Sequence, residues 1–240
     1  MNLILNAGGI AGYPEGIAAV RAHFAGCRRV ALIPYAYVGD HSEVLRFMRD
    51  LIPEIPFVGL DAAPNPSAAL SAADGIWVPG GNSFLLVDQL HARGLIDPVR
   101  RSVESGTPYG GSSAGAIVAG PTICTTNDMP IVLAPRSLIA FGLVPFQINP
   151  HYLAANTMPV GFRGETREKR IEEFQALNDV VVIGLREGSW LTVHGSRMEL
   201  DGGAPAILFE PGRQPAEVSP GSDLSLLLAA TPRFGPTHPE

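Results

Sequence analysis

Cysteine is scarce in this 240-residue chain: Cys27 and Cys124 are the only two, far apart and in neither CxxC nor Cys/His ligand spacing. That excludes a disulfide framework and gives no signal for a zinc site, so both read as small apolar residues. Basic residues are also few. Lys and Arg total 17 against 23 Asp and Glu, for a net charge of -6, and no basic block exceeds a short pair such as Arg100-Arg101. Such a surface is ill suited to nucleic acid or an anionic membrane, which leaves a small molecule or peptide as the expected substrate. No uninterrupted apolar run approaches the ~18 residues of a membrane span, and Met1 to Asn6 lacks the basic region and apolar stretch of a signal peptide. A soluble cytoplasmic protein is the expectation. No internal repeat is visible.

What is present suits one large α/β domain. With 46% hydrophobic residues the chain can bury a substantial core. Short apolar runs at Leu3 to Leu5, Val30 to Pro34, Pro56 to Leu60 and Ile76 to Val78 read as buried strands. Helical patterns alternate with them near Glu15 to Phe24, His41 to Leu51, Ala68 to Ala73, Phe84 to Ala92 and Asp97 to Ser105. This β-α-β-α order predicts a mostly parallel sheet, doubly wound with helices on both faces. After residue 120 short strands dominate: Thr122 to Thr126, Val144 to Asn149, Val180 to Leu185, Trp190 to His194 and Ile207 to Phe209, interrupted by a helix over about Thr166 to Leu177. Gly195-Ser196 and Asp201-Gly202-Gly203 read as hairpin turns, so antiparallel strands are expected to extend the sheet. The expected organisation is a single α/β hydrolytic domain over 1–230 and a loose tail over 231–240.

Within this frame, Gly111-Ser112-Ser113-Ala114-Gly115 has the form of a nucleophile elbow. Glycines two residues before and after a serine permit a sharp strand-to-helix turn that leaves no room for Cβ atoms and holds the hydroxyl out at the helix start. Ser113 is the expected nucleophile. It needs a base, and His151 directly follows a predicted strand ending in Gln147-Ile148-Asn149-Pro150, where proline ends regular pairing. The other histidines, His23, His41, His91, His194 and His238, are expected mostly at solvated positions.

Six blocks then carry a resemblance: Gly80-Gly81-Asn82-Ser83-Phe84, Gly111-Ser112-Ser113-Ala114-Gly115-Ala116, Thr125-Thr126-Asn127-Asp128-Met129-Pro130-Ile131, Gln147-Ile148-Asn149-Pro150-His151, Gly164-Glu165-Thr166-Arg167-Glu168 and Gly184-Leu185-Arg186-Glu187-Gly188-Ser189-Trp190. In this order they resemble the peptidase E family, the aspartyl dipeptidases whose fold is shared with class I glutamine amidotransferases (flavodoxin-like). The resemblance implies a serine dipeptidase that cleaves dipeptides with N-terminal aspartate. It implies Ser113 as nucleophile and His151 as general base. Two acids fall within matching blocks for the third member. Glu187 follows the Ser-His-Glu order of this clan and is favoured; Asp128 fits the Ser-Asp-His order of α/β-hydrolases. The glutaminase relatives carry a cysteine nucleophile and a glutamate two residues past the histidine, where this chain has Ser113 and Leu153.

For the oxyanion hole, the N–H of Ala114 opens the elbow helix and the N–H of Gly81 belongs to a strand-to-helix turn. That turn lacks GxGxxG or GKS spacing, which disfavours nucleotide binding. Arg167 lies near the start of a helix that Thr166 could cap, where the dipole disfavours a cation and a substrate carboxylate would compensate. In the resembling family the matching arginine reads the aspartate side chain. Arg163 and Arg170 read as solvated. Asn82, Asn127 and Asp128 are candidates for accepting the substrate's amino group. No metal or organic cofactor is implied, and a homodimer is compatible with the sequence. The competing readings are a cyanophycinase-like serine peptidase and a catalytically silent binding protein of the same fold.

Overall fold

A computed structural model describes residues 1–154 and 164–235. Arg163, His238 and the end of the expected tail lie outside the described residues. Five strands, β1 (Asn2–Asn6), β2 (Val30–Leu32), β3 (Phe57–Gly59), β4 (Gly75–Val78) and β5 (Tyr109–Ser112), pair in parallel in the order β3-β2-β4-β5-β1. The helices between them are α1 (Pro14–His23), α2 (His41–Leu51), α3 (Pro66–Ser71), α4 (Ser83–Ala92) and α5 (Ile96–Glu104); α6 (Ala114–Ile117) follows β5.

Because successive strand residues point to opposite faces, the apolar runs feed two cores. Leu3, Leu5, Ile76 and Val78 pack with Leu70 of α3, Leu86 of α4 and Val99 of α5. Ile4, Leu32 and Trp77 point the other way and meet Val20 of α1 and Met48 of α2. Helices thus cover both faces, and the parallel sheet is doubly wound. Local chemistry sets the helix starts: Asp40 accepts from the Ser42 N–H at 2.9 Å, and Asn65 accepts from the Ala68 N–H at 3.0 Å with Pro66 in the first turn.

The C-terminal third divides between two sheets. After β6 (Gln147–Asn149), α7 (Arg167–Leu177) and β7 (Val182–Gly184), strands β8 (Ser189–His194) and β9 (Arg197–Gly202) extend the main sheet as an antiparallel hairpin beside β1. With β10 (Ala206–Phe209) and β11 (Ala216–Val218), β6 and β7 form a separate four-stranded sheet, β11-β10-β7-β6, in which β6 and β7 are parallel. Only part of the expected antiparallel extension therefore joins the main sheet. Gly195-Ser196 turns the β8–β9 hairpin, whereas Asp201 and Gly202 pair with Trp190 and Ser189 inside β9 instead of forming a turn.

The strand expected over Thr122 to Thr126 is a run of turns with one bridge, Thr122 to Ile139. Its threonines explain this: Thr122 Oγ1 accepts from the Cys124 N–H, and Thr125 donates to the Ile148 carbonyl, so side chains replace a ladder. The first residues of the expected loose tail are held, since Arg233 exchanges backbone hydrogen bonds with Asp179 and the Gly235 N–H donates to Asn178. Among the described residues no helix is long and apolar enough to cross a membrane.

The arrangement leaves β4, β5 and β1 side by side, and three loops leave their carboxyl ends: Gly80-Gly81, Ser113 and Gly8-Gly9. In open α/β sheets the carboxyl edge is where ligands bind.

Candidate active site

Ser113 joins β5 to α6 with φ 53° and ψ -111°, a conformation that L-residues rarely adopt and that costs about 1–3 kcal/mol. Close packing enforces it. A Cβ on Gly111 would come within 2.3 Å of the Gly115 carbonyl oxygen, and one on Gly115 within 1.9 Å of that of Val78. Buried Tyr109 donates its hydroxyl to the Gly115 carbonyl at 2.6 Å, and the Ser113 N–H is held by the Asn6 carbonyl at 3.1 Å. The elbow is thereby pinned to two neighbouring strands, with the Ser113 side chain directed into the cleft.

His151 Nε2 lies 2.8 Å from Ser113 Oγ, and Nδ1 lies 2.5 Å from Glu187 Oε1. With Nδ1–H donating to the carboxylate, Nε2 is left to accept from the serine hydroxyl. His151 is the other described non-glycine residue at positive φ, 50°. Its backbone is held from both sides. The Pro150 carbonyl accepts from Asn127 Nδ2 at 2.7 Å and Arg167 Nη1 at 2.9 Å, while the Tyr152 N–H donates to the Leu185 carbonyl at 2.8 Å. Asn149 Nδ2 donates to Asn127 Oδ1 and to the Thr125 carbonyl, both at 2.8 Å, fixing the amide that fixes Pro150. Glu187 comes from the turn between β7 and β8.

Asp128 lies elsewhere. Its Oδ2 accepts from the Ser83 N–H at 2.7 Å, at the start of α4, where a carboxylate is favoured by the helix dipole. Asn82 caps the same helix, its Oδ1 accepting from the Leu85 N–H at 2.9 Å. Asn82 and Asn127 are thus both engaged with the protein's own backbone. Of the two candidate acids, Glu187 meets His151; Asp128 braces the turn after Gly81.

Gly81 has φ 139°, and a Cβ there would fall 2.4 Å from the Ala36 carbonyl oxygen. A Cβ on Gly80 would fall 3.1 Å from Ser113 Cβ, so this turn passes directly beside Ser113. Ala114 is the first residue of α6, and its N–H has no acceptor within the helix. The Gly80-Gly81 turn and the start of α6 therefore flank Ser113 from two sides.

Besides a cavity of about 560 Å³ lined by Glu187, two cavities adjoin this cluster. One of about 510 Å³ is lined by Ser113 and His151. The other, about 270 Å³, is lined by Arg167 with Thr125, Asn127, Asn149, Glu165 and Arg170. Arg167 begins α7, and Thr166 Oγ1 caps that helix by accepting from the Lys169 N–H at 3.2 Å. Burial pulls the Arg167 pKa below the usual guanidinium value and nearby Arg170 adds to this, yet arginine stays charged. Arg167 forms no ion pair among the described residues.

Gly8 and Gly9, unremarked in the sequence, form the floor. A Cβ on Gly8 would sit 2.1 Å from His151 Cε1, and one on Gly9 would sit 2.3 Å from Glu187 Oε2. The available signal was a glycine pair directly after the first buried strand, which marks close approach of another group.

Known proteins match this chain over the same elements. The model for peptidase family S51 matches residues 7–200. A peptidase E of Streptomyces coelicolor is 46% identical over 208 residues, 86% of this chain and 84% of its own length. A probable alpha-aspartyl dipeptidase of Drosophila melanogaster is 42% identical over 207 residues, 85% of each chain. Among solved structures, that of a putative peptidase E protein from Listeria monocytogenes has a TM-score of 0.63 at 23% identity, covering 85% of this chain and 98% of that one. A peptidase from an acI-B1 actinobacterium superposes with a TM-score of 0.68 at 17% identity, covering 93% and 96%. At those identities the two structures speak for the fold alone. The family model and the sequence relatives span the elbow, the histidine and the glutamate, and by that extent of match the chain belongs to peptidase family S51.

Proposed function

We propose that this chain hydrolyses dipeptides with N-terminal aspartate through an acyl-enzyme on Ser113. The observation that carries the proposal is the continuous relay from Ser113 Oγ through the His151 ring to Glu187, at 2.8 and 2.5 Å. His151 Nε2 takes the hydroxyl proton as Ser113 Oγ attacks the carbonyl carbon of the aspartyl residue. Glu187 holds the ring in the required tautomer and stabilises the imidazolium that forms. The oxyanion is met by the Gly81 and Ala114 N–H groups, with the helix start adding positive potential. His151 then delivers its proton to the leaving nitrogen and the C–N bond breaks. Water, deprotonated by the same ring, cleaves the ester and regenerates Ser113.

Specificity for aspartate is assigned to Arg167. Its guanidinium is partly buried, positively charged, without an internal ion pair among the described residues, and bonded to the carbonyl immediately preceding His151. A carboxylate reaching the 270 Å³ cavity beside it would neutralise that charge through charge-assisted hydrogen bonds. The relatives named peptidase E and alpha-aspartyl dipeptidase support this choice of substrate. The test is the ratio of kcat/KM for Asp-Leu to that for Ala-Leu. Arg167→Ala should bring this ratio close to one, and because any disturbance of His151 affects both substrates, the ratio isolates recognition. An unchanged ratio would remove Arg167 from that role.

A further inference from the structure

The 510 Å³ cavity beside Ser113 has a composition that the reading above leaves unused. His151 lines it, and the leaving nitrogen must lie next to His151 Nε2 to receive its proton, so the departing residue extends into this space. Arg167 lines the other cavity. The far wall of the larger one comes from α2 and the loop before it: Val44, Phe47 and Met48 give an apolar surface, continued by Ile10 from the loop after β1. At its edge Glu43 accepts a hydrogen bond from the Tyr37 hydroxyl at 3.1 Å. Among the described residues lining it there is no lysine or arginine, and Glu43 is the one carboxylate.

We propose that this cavity is the subsite for the residue after aspartate, and that it selects side chains with an apolar stem, with a modest further preference for those ending in a cation; the proposal rests on the dipeptidase reading. Val44, Phe47 and Met48 desolvate the stem, while Glu43 meets a lysine or arginine head at the mouth and repels an acidic one. Glu43 is exposed, so the electrostatic part is modest, and the apolar wall carries most of the selection. Both Glu43 and Phe47 lie on the solvent side of α2, where substitution leaves the core intact.

The experiment compares kcat/KM for Asp-Lys, Asp-Leu, Asp-Gly and Asp-Glu in the unmodified protein, Glu43→Gln and Phe47→Ala. The unmodified protein should prefer Asp-Lys and Asp-Leu to Asp-Gly, with Asp-Glu poorest. Glu43→Gln should lower the Asp-Lys to Asp-Glu ratio by roughly three- to fivefold while sparing Asp-Leu. Phe47→Ala should lower the Asp-Leu to Asp-Gly ratio by roughly tenfold. Turnover of Asp-X with both ratios unchanged in the variants would overturn the subsite and leave the dipeptidase reading standing. Failure of the unmodified protein to cleave any Asp-X would overturn both.

Discussion

The imidazole of His151 occupies the space above Gly8 where any other residue would carry its side chain, with Cε1 2.1 Å from the Cβ position. Gly8, just beyond the end of β1, thus sets how close the His151 ring can come to Ser113. Gly8 also has φ 141°, which an L side chain strains to adopt. Gly8→Ala should displace the ring and lower kcat for Asp-Leu by about 100-fold or more, since misplacement by about 1 Å is worth that much. A folded variant with kcat within about threefold of the original would refute this role.

Glu187 and Asp128 should separate by stability as well as by activity. Glu187 is 44% exposed and bonded to His151, so Glu187→Gln should lower kcat by roughly 10³- to 10⁴-fold with KM and Tm nearly unchanged. Asp128→Ala removes a carboxylate from the start of α4, beside the Gly80-Gly81 turn, and should lower Tm by about 2–4 °C as well as activity. Thermal melts and steady-state kinetics on the pair check both. Equal melting losses, or a fully active Glu187→Gln, would contradict the assignment.

Asn127 acts at one remove, through the Pro150 carbonyl. Asn127→Ala should free the strained His151 backbone and lower kcat about tenfold or more, with a smaller effect on KM. Labelling of Ser113 by a small serine-directed phosphonate should slow in proportion, because that reaction uses the same base and no aspartate pocket. Normal labelling with impaired peptide turnover would place Asn127 at the substrate instead.

His23 gives a pH signature unrelated to catalysis. Burial drives its pKa down to about 4, opposed by a hydrogen bond with the Tyr109 backbone and aided by nearby His194. The ordinary value is 6.5, so between these limits the unfolded chain binds more protons and stability rises with pH. This contribution is intact above about pH 6.5 and is lost as pH falls towards 4, reaching about 3 kcal/mol. Urea denaturation at pH 7, 5.5 and 4 should show a steeper acid loss for the original protein than for His23→Gln. Parallel losses would contradict it.

The sequence was most legible where burial and capping act locally. The continuous apolar runs of β1 to β4 identify buried parallel strands, and α2 runs from His41 to Leu51 as expected. Strand β9 is not legible, because its mixed sequence, Arg197 to Gly202, acquires strand character by pairing with β8. Ser113 was legible because the elbow needs glycines at fixed offsets. Glu187 is favoured over Asp128 only through the family resemblance, because the contact itself spans 36 residues and depends on the Leu185 N–H donating to the Asn149 carbonyl. His23 reads as an ordinary helix residue until α1 is packed on the sheet.

The central claim is tested most directly by Ser113→Ala assayed for Asp-Leu hydrolysis, alongside labelling of both proteins with a serine-directed phosphonate and mass mapping of the adduct. Turnover should fall by roughly 10⁴- to 10⁶-fold, and the adduct should form on Ser113 and vanish in the variant. Near-normal hydrolysis by Ser113→Ala would contradict the account.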